Sequence, residues 1–197
     1  MSKYNKKHLL LYLDFLGFSE FVEKIDNEQI GEEEVEKFVS SLESIKACNQ
    51  EFNMSPEEIQ GISSSEDIQK LTPLSTFFAS DTLVLSWPLQ DDLHKIDVCL
   101  FAHMCEFIMP IIHNALGLGL LVRGAITVGG YYHKHDIFFG KACLSAARLE
   151  KEEANYPRIF IDTEQDILKK LVEFSPSEAF EPFFCTFVKD PVDDRYY

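Results

Sequence analysis

Leu11-Tyr12-Leu13-Asp14-Phe15-Leu16-Gly17-Phe18-Ser19 places an acidic residue where a short apolar strand gives way to a turn. Buried aliphatics on such a strand fix the backbone, so the Asp14 carboxylate and a neighbouring carbonyl can be presented to a hard cation. The same pattern also suits a helix cap, with Asp14 accepting from the amides of Leu16 or Gly17. Both readings stand on this stretch alone.

A second acidic position follows in Thr76-Phe77-Phe78-Ala79-Ser80-Asp81-Thr82-Leu83-Val84-Leu85-Ser86-Trp87. Two apolar strands are broken at Ser80-Asp81, the composition of a tight hairpin, where an Asp can hydrogen-bond its own backbone. Paired with Asp14 at the end of an adjacent strand, Asp81 has another use. Two such carboxylates can hold two divalent cations roughly 3.5–4 Å apart, the arrangement that clamps the attacking and leaving oxygens of a phosphoryl displacement.

The third segment is Leu121-Val122-Arg123-Gly124-Ala125-Ile126-Thr127-Val128-Gly129-Gly130, followed by Phe139-Gly140-Lys141-Ala142-Cys143-Leu144-Ser145-Ala146-Ala147-Arg148-Leu149-Glu150. In order and wording, the three segments resemble the class III nucleotidyl cyclases over roughly residues 8 to 162. Shared features are Asp-x-x-Gly-Phe-Ser, an Asp on a hairpin, a Gly-containing strand, and Gly-x-Ala-x-x-x-Ala-x-Arg-Leu-Glu opening a helix. The resemblance implies that Asp14, the Phe15 backbone carbonyl and Asp81 bind two divalent cations, Mn²⁺ or Mg²⁺. It also implies that Arg148 stabilises the transition state, where a guanidinium can bridge developing negative oxygens. Read without the motif, Arg148 forms a helix-surface ion pair with Glu152 at i,i+4, or with Glu150 or Glu153.

The chain departs from that family where purine bases are read. Phe77 stands in place of the lysine or glutamate four residues before the hairpin Asp, Ile137 in place of a second base-reading residue, often Asp, which a one-residue shift to Asp136 would restore, and Leu144 in place of the ribose-orienting asparagine. The nucleotide contacts implied by position are Gly17, Phe18, Phe77, Ile137 and Leu144, with Lys189 as the nearest triphosphate lysine. With the metal and arginine positions kept, the chain looks like the stand-alone pyrimidine cyclases of bacterial Pycsar antiphage systems. That implies a substrate of UTP, or else CTP, and a cyclic product sensed by a separate effector. A purine cyclase and an inactive nucleotide-binding module are the alternatives.

In this family the metal aspartates and the arginine of one chain lie too far apart to meet, which implies a head-to-tail homodimer with composite sites.

Composition agrees with this picture without selecting it. The 197 residues, 46% of them hydrophobic and 17 of them Phe, can bury one core as a single domain. A net charge of −15 argues against nucleic acid as a partner. A triphosphate site in so acidic a chain needs local compensation, from cations at Asp14 and Asp81 and from Arg123, Arg148 or Lys141. Five cysteines without Cys-x-x-Cys spacing read as reduced thiols in a cytosol. No 18-residue apolar run signals a membrane span.

The alternation of strands and helices, with hairpins and no internal repeat, fits an α+β fold with a ferredoxin-like antiparallel sheet and flanking helices, as the resemblance also implies. Strands are expected at about His8–Leu13, either side of Ser80-Asp81, Leu120–Val128, Arg158–Ile161, Phe183–Val188 and Arg195–Tyr197. Helices are expected at about Gly31–Asn49, Asp92–Leu116 with a kink at Pro110, Gly140–Ala154 and Thr163–Phe174. Gly129-Gly130 reads as a turn or bulge, residues 50–70 as a polar insert, and His133-x-His135-Asp136 as a solvated hairpin tip rather than a metal site.

Overall fold

Leu9, Leu10 and Leu11 are all fully buried, because β1 (Lys7–Leu16) is covered on both of its faces. The computed structural model describes residues 7–48, 75–89, 95–134, 137–153, 156–162, 164 and 166–173. The polar insert at 50–70, the two expected C-terminal strands and Lys189 lie outside these residues.

β1 lies between two antiparallel neighbours. On one side is β3 (Thr82–Pro88), hairpinned to β2 (Ser75–Ala79) through Ser80-Asp81, with Ser80 at φ 55. On the other is β4 (Leu121–Lys134), paired with β1 from Lys7↔Gly130 to Leu16↔Leu121. β4 also pairs antiparallel with β5 (Ile137–Gly140) and parallel with the short β6 (Ile159–Ile161). The order β2-β3-β1-β4-β5 contains two interleaved split βαβ units, the ferredoxin-like arrangement expected from sequence.

Helices cover the two faces unequally. Odd-numbered β1 residues Leu9, Leu11, Leu13 and Phe15 join a large core with four helices: α1 (Phe18–Asp26), α2 (Glu32–Cys48), α3 (Lys95–Gly117) and α5 (Asp166–Glu173). Phe21, Phe38, Met104, Ile111 and Leu168 are their buried contributions. The opposite face carries Leu10, Val84, Ala125 and Phe160 and is packed by α4 (Lys141–Glu153) through Ala142 and Ala146. Small residues let α4 lie close on β4. The buried Thr127 hydroxyl donates to the Ala142 carbonyl at 3.0 Å, and Arg158 Nη2 donates to the Glu153 carbonyl at 2.9 Å, capping the helix end.

Two local expectations need correction. β1 continues through Asp14 to Leu16, because Phe15 and Leu16 find partners in Val122 and Leu121; Asp14 is therefore inside the strand. Gly129-Gly130 is likewise neither turn nor bulge: both residues sit in β4 opposite His8 and Lys7. A Cβ on Gly129 would lie 3.1 Å from the Ala142 nitrogen, so glycine there serves the approach of α4. α3 runs through Pro110 as one helix.

Candidate functional site

Side chains alternate along β1, so Tyr12 and Asp14 share the face of Leu10, beneath α4. Asp14 pairs with Thr82 on β3 and Arg123 on β4, and the Phe15 amide donates to the Asp81 carbonyl at 2.9 Å. The strand-end hairpin thus delivers Asp81 beside Asp14, as the sequence pattern predicts. N–H and C=O of one strand residue point to the same side, so the Phe15 carbonyl is also turned toward the Ser80-Asp81 turn.

The helix-cap reading of Asp14 does not hold. The N-cap of α1 is Gly17, in left-handed geometry at φ 86, and no side chain caps the helix. Asp14 Oδ2 instead accepts from Arg123 Nε at 2.9 Å. That same nitrogen stands 2.5 Å from Glu150 Oε1.

Glu150 is the residue that sequence reasoning missed. From the sequence it reads only as a surface partner for Arg148, yet it is 7% exposed and turned toward the sheet. The signal was present in the i, i+4, i+8 series Ala142, Ala146 and Glu150, which forms the inward stripe of α4. Burial raises the Glu150 carboxyl above the usual carboxylate range, opposed by Arg123 and reinforced by the charges of Asp14 and Asp81. Burial also raises the Tyr12 phenol; a hydrogen bond with Thr82 opposes this, and Glu150, Asp14 and Asp81 add to it. The half-buried Tyr12 phenol thus lies within electrostatic reach of Glu150, Asp14 and Asp81.

Arg148 lies on the other side of α4. Its exposed guanidinium stands 3.9 Å from Glu152, the i,i+4 ion pair anticipated from the sequence. Leu144, 75% exposed, precedes it by one turn on the same outer face, and Ile137 of β5 is 65% exposed. Within one chain, then, Asp14 and Asp81 are brought together and Arg148 points away from them. Phe77 is half-buried with its ring 4.3 Å from that of Phe138. Phe18 packs on the large core beside Phe21, at 5.9 Å between rings, and so serves α1.

Asp14, Asp81 and the Phe15 carbonyl are an all-oxygen donor set suited to Mg²⁺ or Mn²⁺. Among the described residues no group of three or more His, Cys, Asp or Glu side chains is placed to hold a metal; the donors here are two carboxylates and a carbonyl, while Glu150 is engaged with Arg123. The set fits hard cations, with Arg123 as the group that must yield at Asp14. No helix among the described residues is long and apolar enough to cross a membrane.

No family model matches this chain, and no curated protein matches it. Among solved structures, the guanylyl cyclase Cya2 is similar at 12% identity and a TM-score of 0.43, over 83% of this chain and 78% of that one. The fold assignment rests on the strand order itself.

Proposed function

We propose that the protein is a nucleotidyl cyclase that converts a pyrimidine nucleoside triphosphate, UTP in preference to CTP, to its 3',5'-cyclic monophosphate and pyrophosphate. The observation that carries this reading is the Asp14–Asp81 juxtaposition, tied by the Phe15–Asp81 main-chain bond.

Asp14, Asp81 and the Phe15 carbonyl would hold two divalent cations. When bound, these acidify the ribose 3'-hydroxyl and neutralise phosphate charge. The hydroxyl oxygen forms a bond to the α-phosphorus as the bond to pyrophosphate breaks, and the hydroxyl proton passes to water. The Arg148 guanidinium donates to oxygens on which charge grows in that transition state. Because Arg148 faces outward from its own α4, it would serve the Asp14–Asp81 pair of a second chain. Two composite sites in a homodimer follow. Exposed Leu144 and Ile137 would lie with Arg148 against the partner.

The pyrimidine preference is supported by what stands at the base-reading positions. Phe77, its ring tilted against that of Phe138, and Ile137 have side chains that offer no hydrogen bond to a purine edge. The choice of UTP, the antiphage role and the cyclic-nucleotide-sensing effector come from the resemblance to Pycsar cyclases.

The test is to incubate purified protein with each of ATP, GTP, CTP and UTP, with Mn²⁺ or Mg²⁺, and follow pyrophosphate and cyclic product by mass spectrometry. Product from UTP or CTP supports the reading, product from ATP or GTP alone replaces it with a purine cyclase, and no product from any leaves a binding module.

A further inference from the structure

Arg123 is shared between two carboxylates, and only one of them is hydrogen-bonded. Its Nε–H donates to Asp14 Oδ2 at 2.9 Å. Glu150 Oε1 lies 2.5 Å from the same nitrogen, yet it is a buried oxygen that accepts no hydrogen bond. A buried carboxylate oxygen beside a guanidinium, without a hydrogen bond from it, is an acceptor held in reserve.

We infer that Glu150 is a positioning residue that takes Arg123 over from Asp14 when Asp14 turns to a cation. This rests on the metal reading proposed above. Asp14 cannot serve a divalent ion well while it neutralises a guanidinium, and a freed Arg123 beside that ion would meet like charge. Glu150 resolves both conflicts. It is anchored by the helix stripe of Ala142 and Ala146, each 0% exposed, so its carboxylate stays at the edge of the site. Only the Arg123 side chain, which is 29% exposed, needs to shift.

The inference predicts an order of Mn²⁺ affinities, read with the metal alone by electron paramagnetic resonance of the free ion, on the full chain and without nucleotide. Wild type binds Mn²⁺ and D14N does not. E150Q binds about tenfold more weakly, because Arg123 is left with Asp14 as its sole carboxylate, a size expected for coupling between neighbouring charges. R123Q binds at least as tightly as wild type. In the R123Q background, adding E150Q changes nothing further, since Glu150 acts through Arg123. A merely structural Glu150 would weaken binding equally in both backgrounds, and that result overturns the inference. Circular dichroism checks folding; should E150Q unfold, E150A, which also removes the carboxylate, replaces it with the same expected order. Wild-type binding with E150Q unchanged overturns the handover alone, whereas absence of wild-type binding overturns the metal reading and the handover together.

Discussion

The amide of Phe15 donates to the main-chain carbonyl of Asp81 at 2.9 Å, so the hairpin turn is fastened to β1 one residue beyond Asp14. The fastening uses backbone atoms only, so it occupies neither aspartate side chain. Asp81→Ala should therefore keep its thermal unfolding midpoint close to wild type, with a change within about 0.5 kcal/mol. Nucleotide turnover should fall by about 10²-fold or more, as when a main electrostatic stabiliser is removed. Paired melting and product assays check both halves.

Gly124 faces a harder constraint. A Cβ there would overlap the Tyr12 carbonyl oxygen and lie 2.9 Å from Leu13 Cδ2, at the centre of the β1–β4 pairing. Gly124→Val should cost about 3 kcal/mol or more, through overpacking that backbone cannot relieve. Gly129→Ala, whose Cβ meets only the 3.1–3.4 Å shell of Ala142, should cost about 1 kcal/mol. Urea titration of the two variants measures the difference.

These constraints also show what could be read from the sequence. The apolar run leading to Asp14 and the Ser-Asp break locate the strand and hairpin correctly, because both are local signals. Where β1 ends is not local: Phe15 and Leu16 remain in the strand through Val122 and Leu121, far along the chain. The same long-range pairing keeps Gly129-Gly130 in β4 despite two residues that usually mark a turn. Glu150 was obscured differently. Its inward stripe consists of two alanines, which carry no hydrophobic signature strong enough to distinguish the buried face of α4 from the outer face bearing Leu144 and Arg148.

Glu150 should also leave a mark on pH dependence. Burial and the charges of Asp14 and Asp81 raise its carboxyl, against the pull of Arg123. A raised acid keeps its proton in the folded chain after the unfolded chain has lost it. Its contribution is thus full below the ordinary glutamate value of about 4.3 and is lost as pH rises through the folded value. Denaturant titrations at several pH values should show wild type losing stability relative to E150Q between the acid end and neutrality. A relative gain over that window would contradict the assignment.

Cys143, on α4, is pushed up to about 11 by burial. Its thiolate is then only about 0.1% populated at pH 8, and alkylation needs the thiolate. Iodoacetamide at pH 8 should modify Cys143 about a hundredfold more slowly in the folded than in the unfolded protein. Peptide mass spectrometry with quenched time points gives the ratio, and comparable rates would show that the thiol is not buried.

The proposed composite site takes Asp14 and Asp81 from one chain and Arg148 from the other. It is tested most directly by mixing Asp14→Ala protein with Arg148→Ala protein, each inactive alone, and measuring cyclic nucleotide formation. Exchange of subunits should restore activity, up to one working site per heterodimer. No recovery from the mixture, with both variants folded and shown to form mixed dimers, would mean that the site is not shared between chains.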